Sequence, residues 1–384
     1  MSPPQNSVLA RAIVSYEPTE GQIDLRLEDV SIRDLKDDEV LIRVVATGIC
    51  HTDLLFGAMQ PPFTPYPKVL GHEGWYFPQL RFSQAELTGK GAGYIEQVGK
   101  NVQVGKPGDA VLLSFSYCST CRDCSALHPS YCESFSTVNY VTDPETFLSP
   151  DGQNIGGLFF GQSSMASYTI ARQASVVNVS SLIHDESELK IFAPLGCGFQ
   201  TGFGAIDLVA KAGSGDAVVV MGIGGVGFSA IAGAKLNKCH TIIAIDRVEQ
   251  RLQLAREFGA THVINSTETE DLVAEVKSLT KGAGSTITLD TTGNMRLIEN
   301  GLAMTANRGQ MIVVGVPPMD AQLIVHVVSF LQTGKILRGC IEGDATPGEY
   351  IPTMIKHFRA GQFPIDKLVK LYPVGDLHPL PLPC

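Results

Sequence analysis

The chain has 384 residues, 44% of them hydrophobic and 18% charged, a length that one hydrophobic core rarely serves and a composition that excludes a disordered chain. A formal charge of −10 and a pI near 5.4 would repel nucleic acid and anionic lipid, so small-molecule chemistry is expected, with neither nucleic acid nor membrane as partner. The opening "MSPPQNSVLARAIVSYEPTE" has no basic segment leading into a long apolar one. A secretory signal is not expected, and the expected location is cytoplasmic. The most apolar run, "DAVVVMGIGGVGFSAIAGAKL", is broken by glycines between Gly222 and Gly233, which suits a buried strand and helix rather than a membrane span.

From about Val8 to Val111, short β-rich runs such as "DEVLIRVVATGI" and "GYIEQVG" alternate with turns such as "GKPGD". This predicts a strand-rich, partly antiparallel domain. "CSTCRDCSALHPSYC" follows, with Cys118, Cys121, Cys124 and Cys132 in a C-x2-C-x2-C-x7-C array. Two-residue gaps turn successive thiolates back onto one tetrahedral ion, and four thiolates leave no open position, so a structural zinc site is predicted. An iron–sulfur cluster also takes four cysteines, but its usual gaps differ and a proline follows its last cysteine.

From about Thr201 to Cys340 the rhythm becomes "AVVVMG", "TIIAID", "HVIN", "STITLD" and "GQMIVVGV", separated by segments of helical spacing such as "EQRLQLAREFGA". That alternation predicts a doubly wound parallel sheet. Gly222, Gly224 and Gly227 form G-x-G-x-x-G after an apolar strand and at the start of a helix. The pattern permits a tight turn, close approach of backbone to a pyrophosphate, and close packing of helix on strand. Asp246 ends the next strand at the distance where a carboxylate meets ribose hydroxyls, which favours NAD; Arg247 beside it is the feature that speaks for NADP.

"GICHTDLL" with Cys50, "GHEG" with His72 and Glu73, and "GCGFQTGFGA" with Cys197 are unremarkable singly. Together with the four-cysteine array and the dinucleotide fingerprint they resemble the zinc-containing medium-chain alcohol dehydrogenases over nearly the whole chain. "ATGICHTD", "LFFGQSSMASY", "APLGCGFQTGFGA", "GATHVIN" and "GCIEGD" look like the aryl-alcohol (benzyl alcohol) dehydrogenase branch. The resemblance implies an α/β fold: a strand-rich GroES-like catalytic domain over 1–198, a Rossmann NAD-binding domain over 199–340, and a return to the catalytic domain over 341–384, with the cleft between them. It implies two zinc ions per chain, one structural and held within 118–132, and one catalytic on Cys50, His72 and Cys197 with an open position. Asp53 would orient the zinc-bound histidine, Glu73 would lie near the metal, and Thr52 would take the alcohol proton. His51 would touch the cofactor pyrophosphate, Thr201 would pack near the nicotinamide, and Arg251 would reach the adenosine ribose. The implied reaction interconverts a primary aromatic or allylic alcohol and its aldehyde by hydride transfer with NAD, in a homodimer or homotetramer.

Three departures stand out. Leu55 replaces a histidine that ends the proton relay in many relatives. Trp75 to Gly91 interrupt the family text after "GHEG" and include Trp75, Tyr76, Phe77 and Phe82; they read as a substrate lid or oligomer contact, as a neutral loop, or as a translated intron. The ending "GDLHPLPLPC" stops where relatives continue. Competing readings are therefore a glutathione-linked formaldehyde dehydrogenase and a zinc- and NAD-binding relative with impaired catalysis.

Overall fold

The structure is a computed structural model and describes residues 8–20, 22–48, 50–59, 65–72 and 91–371. Glu73, residues 75–90 of the insertion and the ending "GDLHPLPLPC" lie outside the described residues, as does the side chain of His51. The chain divides into two compact units, one of residues 1–197, 346–356 and 365–384, the other of residues 198–345 and 357–364. Among the described residues no helix is long and apolar enough to cross a membrane.

In the first unit five strands close a barrel in the order Val8–Thr19, Gln22–Ile32, Asp143–Leu148, Asn154–Gly157 and Lys68–Val69. A second sheet runs Val176–Asn178, Ala110–Leu113, Ala92–Val98, Glu39–Ala46 and Tyr168–Arg172, antiparallel throughout. Its core-facing side chains include Val40, Ile42, Ile95, Val111 and Leu113. The two-residue spacing within this set is what a strand with one apolar face requires.

A polar clamp holds the entry to this sheet. The Arg33 guanidinium donates to both carboxylate oxygens of Glu39 at 2.6 and 2.8 Å, and Asp143 accepts from Arg33 and from Lys36. Burial would raise the Glu39 pKa, but Arg33 outweighs it and the pKa lies below the ordinary value. A carboxylate with a lowered folded pKa contributes stability that is present above its unfolded pKa and lost as pH falls through the folded one. Glu39→Gln should therefore cost about 1.5 kcal/mol at neutral pH, the lower end for a hydrogen bond to a charged group, since the pair is partly buried. In urea titrations from pH 7 to pH 3, the difference from wild type should shrink on acidification.

In the second unit six parallel strands lie in the order His262–Asn265, Thr241–Asp246, Ala217–Met221, Ser285–Asp290, Thr305–Val313 and Ile336–Gly339. Ala217–Met221 and Thr241–Asp246 are buried along their whole length, as strands covered on both faces must be. Chain order reverses across Ala217–Met221 and Ser285–Asp290, the switch point beside which ligands bind in open α/β sheets. Ile336–Gly339 at the edge is exposed at every residue, and the neighbouring helix Val327–Thr333 buries none.

Candidate metal and dinucleotide sites

Helix His51–Ala58 leaves the strand-rich sheet with Cys50 as its N-cap, and the Cys50 sulfur accepts from Thr52 N at 3.2 Å. Asp53 in the first turn is fully engaged. It accepts from Cys50 N at 2.8 Å, from Gly71 N at 2.9 Å and lies 3.1 Å from His72 Nδ1. Gly71 has φ +100°, and a Cβ there would meet Met165 N at 2.5 Å, so only glycine lets this amide reach Asp53.

With Nδ1 turned to Asp53, the His72 ring presents Nε2 to the Cys50 sulfur at 3.3 Å. Cys197, which follows the short turn Ala193–Gly196, hydrogen-bonds the same sulfur. Burial opposes ionisation of Cys50, but Cys197 and His72 hold the thiol well below its usual pKa. Burial likewise opposes charge on His72, yet Asp53 and Cys50 raise its pKa well above the usual range. A divalent metal that takes thiolate and neutral imidazole would replace any proton that the Cys50 sulfur and His72 Nε2 share across 3.3 Å. Two sulfurs and one nitrogen suit zinc.

Aromatic rings surround His72. Phe160 stacks on it at 4.0 Å between centroids, Phe159 meets it edge-on at 5.4 Å, and Phe56 and Tyr140 continue the cluster at 4.9 Å from each other. Leu54, Leu55 and Phe56 are half-buried.

The second cysteine group lies on a surface lobe. Cys118, Cys121, Cys124 and Cys132 place their sulfurs within 4.8 Å of one another. Cys121 N donates to the Cys118 sulfur and Cys118 N to the Cys132 sulfur, both at 3.3 Å. Hydrogen bonds from the Thr120 and Cys121 amides lower the Cys118 pKa to about 6. Burial pushes the Cys124 thiol up to about 12 and raises that of Cys132, so the convergence of four sulfurs, rather than their charge, marks a closed donor set for zinc.

In the other unit, Gly222 and Gly224 occupy the turn from strand Ala217–Met221 into helix Gly225–Leu236, and Gly227 lies in the first turn of that helix. Gly222 has φ +88°, and a Cβ on it would lie 2.6 Å from Thr291 Oγ1. The helix begins without a side-chain cap, so no side chain takes up its first amides, an arrangement that suits an anion. Asp246 accepts from Ile223 N at 2.6 Å and Val248 N at 2.9 Å, with Arg251 at 3.7 Å. Thr201 is buried in helix Gly198–Gly204 of the same unit. The backbone cradle and its carboxylate fit a dinucleotide.

Known proteins match this architecture. The family described as "Alcohol dehydrogenase GroES-like domain" matches residues 36–75 and 79–181, and that described as "Zinc-binding dehydrogenase" matches residues 225–359. Geraniol dehydrogenase of Castellaniella defragrans is 38% identical over 358 residues, with 92% of this chain and 90% of that protein covered. The chain belongs to the zinc-binding alcohol dehydrogenases. It is an α/β enzyme of zinc-dependent alcohol oxidoreduction, with zinc and NAD as its cofactors. Among solved structures, this dehydrogenase is similar to the benzyl alcohol dehydrogenase of Acinetobacter calcoaceticus, with TM-score 0.81, 35% identity and coverage of 94% of this chain and 92% of that one. An alcohol dehydrogenase zinc-binding domain protein from Burkholderia ambifaria gives TM-score 0.84 and 35% identity, at the same coverages.

Several groups around the dehydrogenase's candidate metal site carry no motif. Gln162 Nε2 donates to Ser114 O at 3.0 Å and approaches His72 O at 3.5 Å, holding the backbone that bears the histidine. Phe160, which stacks on that histidine, sits in the quoted run "LFFGQSSMASY", but nothing in the run shows which ring it will face. Lys68 does leave a trace, a charged residue within the apolar run "KVLG" before the histidine.

Proposed function

We propose that this dehydrogenase oxidises primary aromatic or allylic alcohols to aldehydes, with Cys50, His72 and Cys197 holding the catalytic zinc and Cys118, Cys121, Cys124 and Cys132 a structural one. The observation that carries the proposal is the aromatic cluster of Phe56, Tyr140, Phe159 and Phe160 gathered around His72, the ring whose Nε2 faces Cys50. Phe159 and Phe160 are themselves buried, and the half-buried Phe56 and Tyr140 give the site aromatic surroundings that suit a flat, unsaturated substituent on the carbinol carbon. The names of the geraniol and benzyl alcohol dehydrogenases support the same class.

When bound, zinc supplies a Lewis acid for the substrate oxygen and NAD the hydride acceptor. The chain's own residues do the rest. Asp53 accepts the Nδ1 proton of His72 and so keeps Nε2 as the ligating atom. Thr52, in the first helical turn, takes the hydroxyl proton at Oγ1 and passes it outward; Leu55 offers no further proton acceptor on this helix. The alcohol thus loses a proton to solvent and a hydride from carbon, leaving aldehyde and NADH. Glu73, near the metal, and His51, at the pyrophosphate, complete the proposed set. The amides after Gly222 and Gly224, ahead of Gly227, receive the pyrophosphate, Asp246 and Arg251 the adenosine ribose, and Thr201 lies beside the nicotinamide.

Steady-state NADH production with benzylic, allylic and saturated primary alcohols tests the substrate class. A preference for saturated alcohols, or a requirement for glutathione with formaldehyde, would overturn it. Asp246→Ser should raise KM for NAD by about tenfold, roughly 1.4 kcal/mol, and narrow the preference over NADP because the carboxylate no longer repels a 2′-phosphate. Paired titrations with both cofactors measure this.

The same proposal extends to assembly as a homodimer or homotetramer in the cytoplasm. Edge strand Ile336–Gly339 exposes Ile336 and Leu337, and Val327, Val328 and Leu331 are exposed on the adjacent helix. An exposed edge strand with an apolar flank is a surface that a second copy covers. Leu337→Asp should shift the mass measured by light scattering toward the monomer.

A further inference from the structure

Lys68 lies in the two-residue strand between Ser15 and Gly156, and only 1% of it is exposed. A lysine so deep ordinarily has a carboxylate partner. Here burial alone acts on the amine and pushes its pKa down to about 7. Its Nζ donates to Phe56 O at 2.9 Å and stands 3.9 Å from the centre of the Tyr66 ring. The Tyr66 hydroxyl lies within hydrogen-bonding distance of three carbonyls, Met59 at 2.7 Å, Phe56 at 3.0 Å and Gly57 at 3.2 Å.

All of these acceptors belong to the C-terminal end of helix His51–Ala58. A helix of two turns is marginal by itself, and its last carbonyls carry partial negative charge that a basic residue normally meets. This helix has no basic residue in its last turn. The segment that supplies Tyr66 and Lys68 to the C-terminal end also engages the N-terminal end, through Gly71 N and His72 Nδ1 on Asp53.

We propose that Lys68 and Tyr66 are positioning residues for the catalytic metal: they clamp the far end of the helix that begins at Cys50, and so fix the distance between Cys50 and His72. The inference rests on the assignment of zinc to Cys50, His72 and Cys197. Residues 66–72 then act as a splint along the helix, with His72 at one end and the carbonyl clamp at the other. Loss of the clamp should free the helix to tilt, which loosens Cys50 from the metal while leaving the fold in place.

The test compares zinc loss to a chelator, thermal unfolding, kcat and KM in the full-length zinc enzyme and in Lys68→Met, which replaces the amine with an apolar chain of similar length. Cys50→Ala marks the signal of the other zinc. Lys335→Met is the control, since Lys335 Nζ caps a helix of the other unit through Leu302 O at 2.6 Å. The expected result is about tenfold faster loss of one of two zinc ions and a lower kcat in Lys68→Met, with KM for NAD and the melting temperature nearly unchanged. Tyr66→Phe, which removes one oxygen, should show the same effect in weaker form and serves if Lys68→Met does not fold. Wild-type zinc retention in either folded variant would overturn the inference, as would equal losses in Lys335→Met. A wild-type enzyme that holds only one zinc would instead sink the assignment of the site itself.

Discussion

Cys50→Ala is expected to abolish alcohol oxidation, lower the zinc content from two to one per chain, and leave the fold standing. The sulfur is the point on which the proposed ligand set converges: His72 Nε2 at 3.3 Å, Cys197 and Thr52 N all address it. Removing it leaves an imidazole and one thiol, too few to hold a dication against water. Polarisation by the metal supplies several kcal/mol to the reaction, and each 1.36 kcal/mol is tenfold in rate, so a loss of at least about a thousandfold in kcat is expected. Stability should fall by about 2 kcal/mol, since a small buried side chain is shortened by one atom and the cap it gives to Thr52 N is lost. Metal analysis, stopped-flow NADH formation and calorimetry on one preparation provide the three readings. Activity within tenfold of wild type would rule Cys50 out as a ligand.

Cys121→Ala should do the reverse. Its lobe contains helix Arg122–Ser125, none of whose residues is buried, and Cys118, Cys121 and Cys124 are themselves half-exposed. Little apolar surface holds this segment. What does hold it is a set of amide-to-sulfur contacts around four converging sulfurs, and metal binding to such a set is folding energy. Loss of one thiolate should remove the zinc from the lobe, destabilise it by several kcal/mol, and open the Arg122 bond to trypsin while molecules still folded turn over alcohol. Equal stability losses in Cys50→Ala and Cys121→Ala would contradict the division between a catalytic and a structural ion.

The two sites were unequally legible in the sequence. The lobe and the dinucleotide loop are local: four cysteines within fifteen residues, and three glycines followed by an aspartate one strand later, state their chemistry through spacing. Cys50, His72 and Cys197 have no such spacing, and only resemblance to a family joins them. The parallel strands from Ala217 to Val313 could be read from apolar runs, whereas the closed barrel could not, because its neighbours are set by pairings such as Ser15 with Lys68 that no periodicity encodes. For the same reason the partners of Gln162, Phe160 and Lys68 were invisible. A buried lysine within an apolar run says that something unusual is present, but not that a helix end lies within reach.

The spread of the ligands also sets an order of events. Fourteen positions separate Cys118 from Cys132, so the lobe needs to close only a short loop to gather its sulfurs. Cys50 and Cys197 are 147 positions apart, with three of the five barrel strands and four of the five strands of the second sheet between them. Loop-closure entropy and strand pairing must both be met before those two sulfurs meet. On the proposed assignment the lobe can take its zinc from a chain still folding, whereas the Cys50 site can fill only when the unit is essentially complete, which makes its occupancy a record of correct folding.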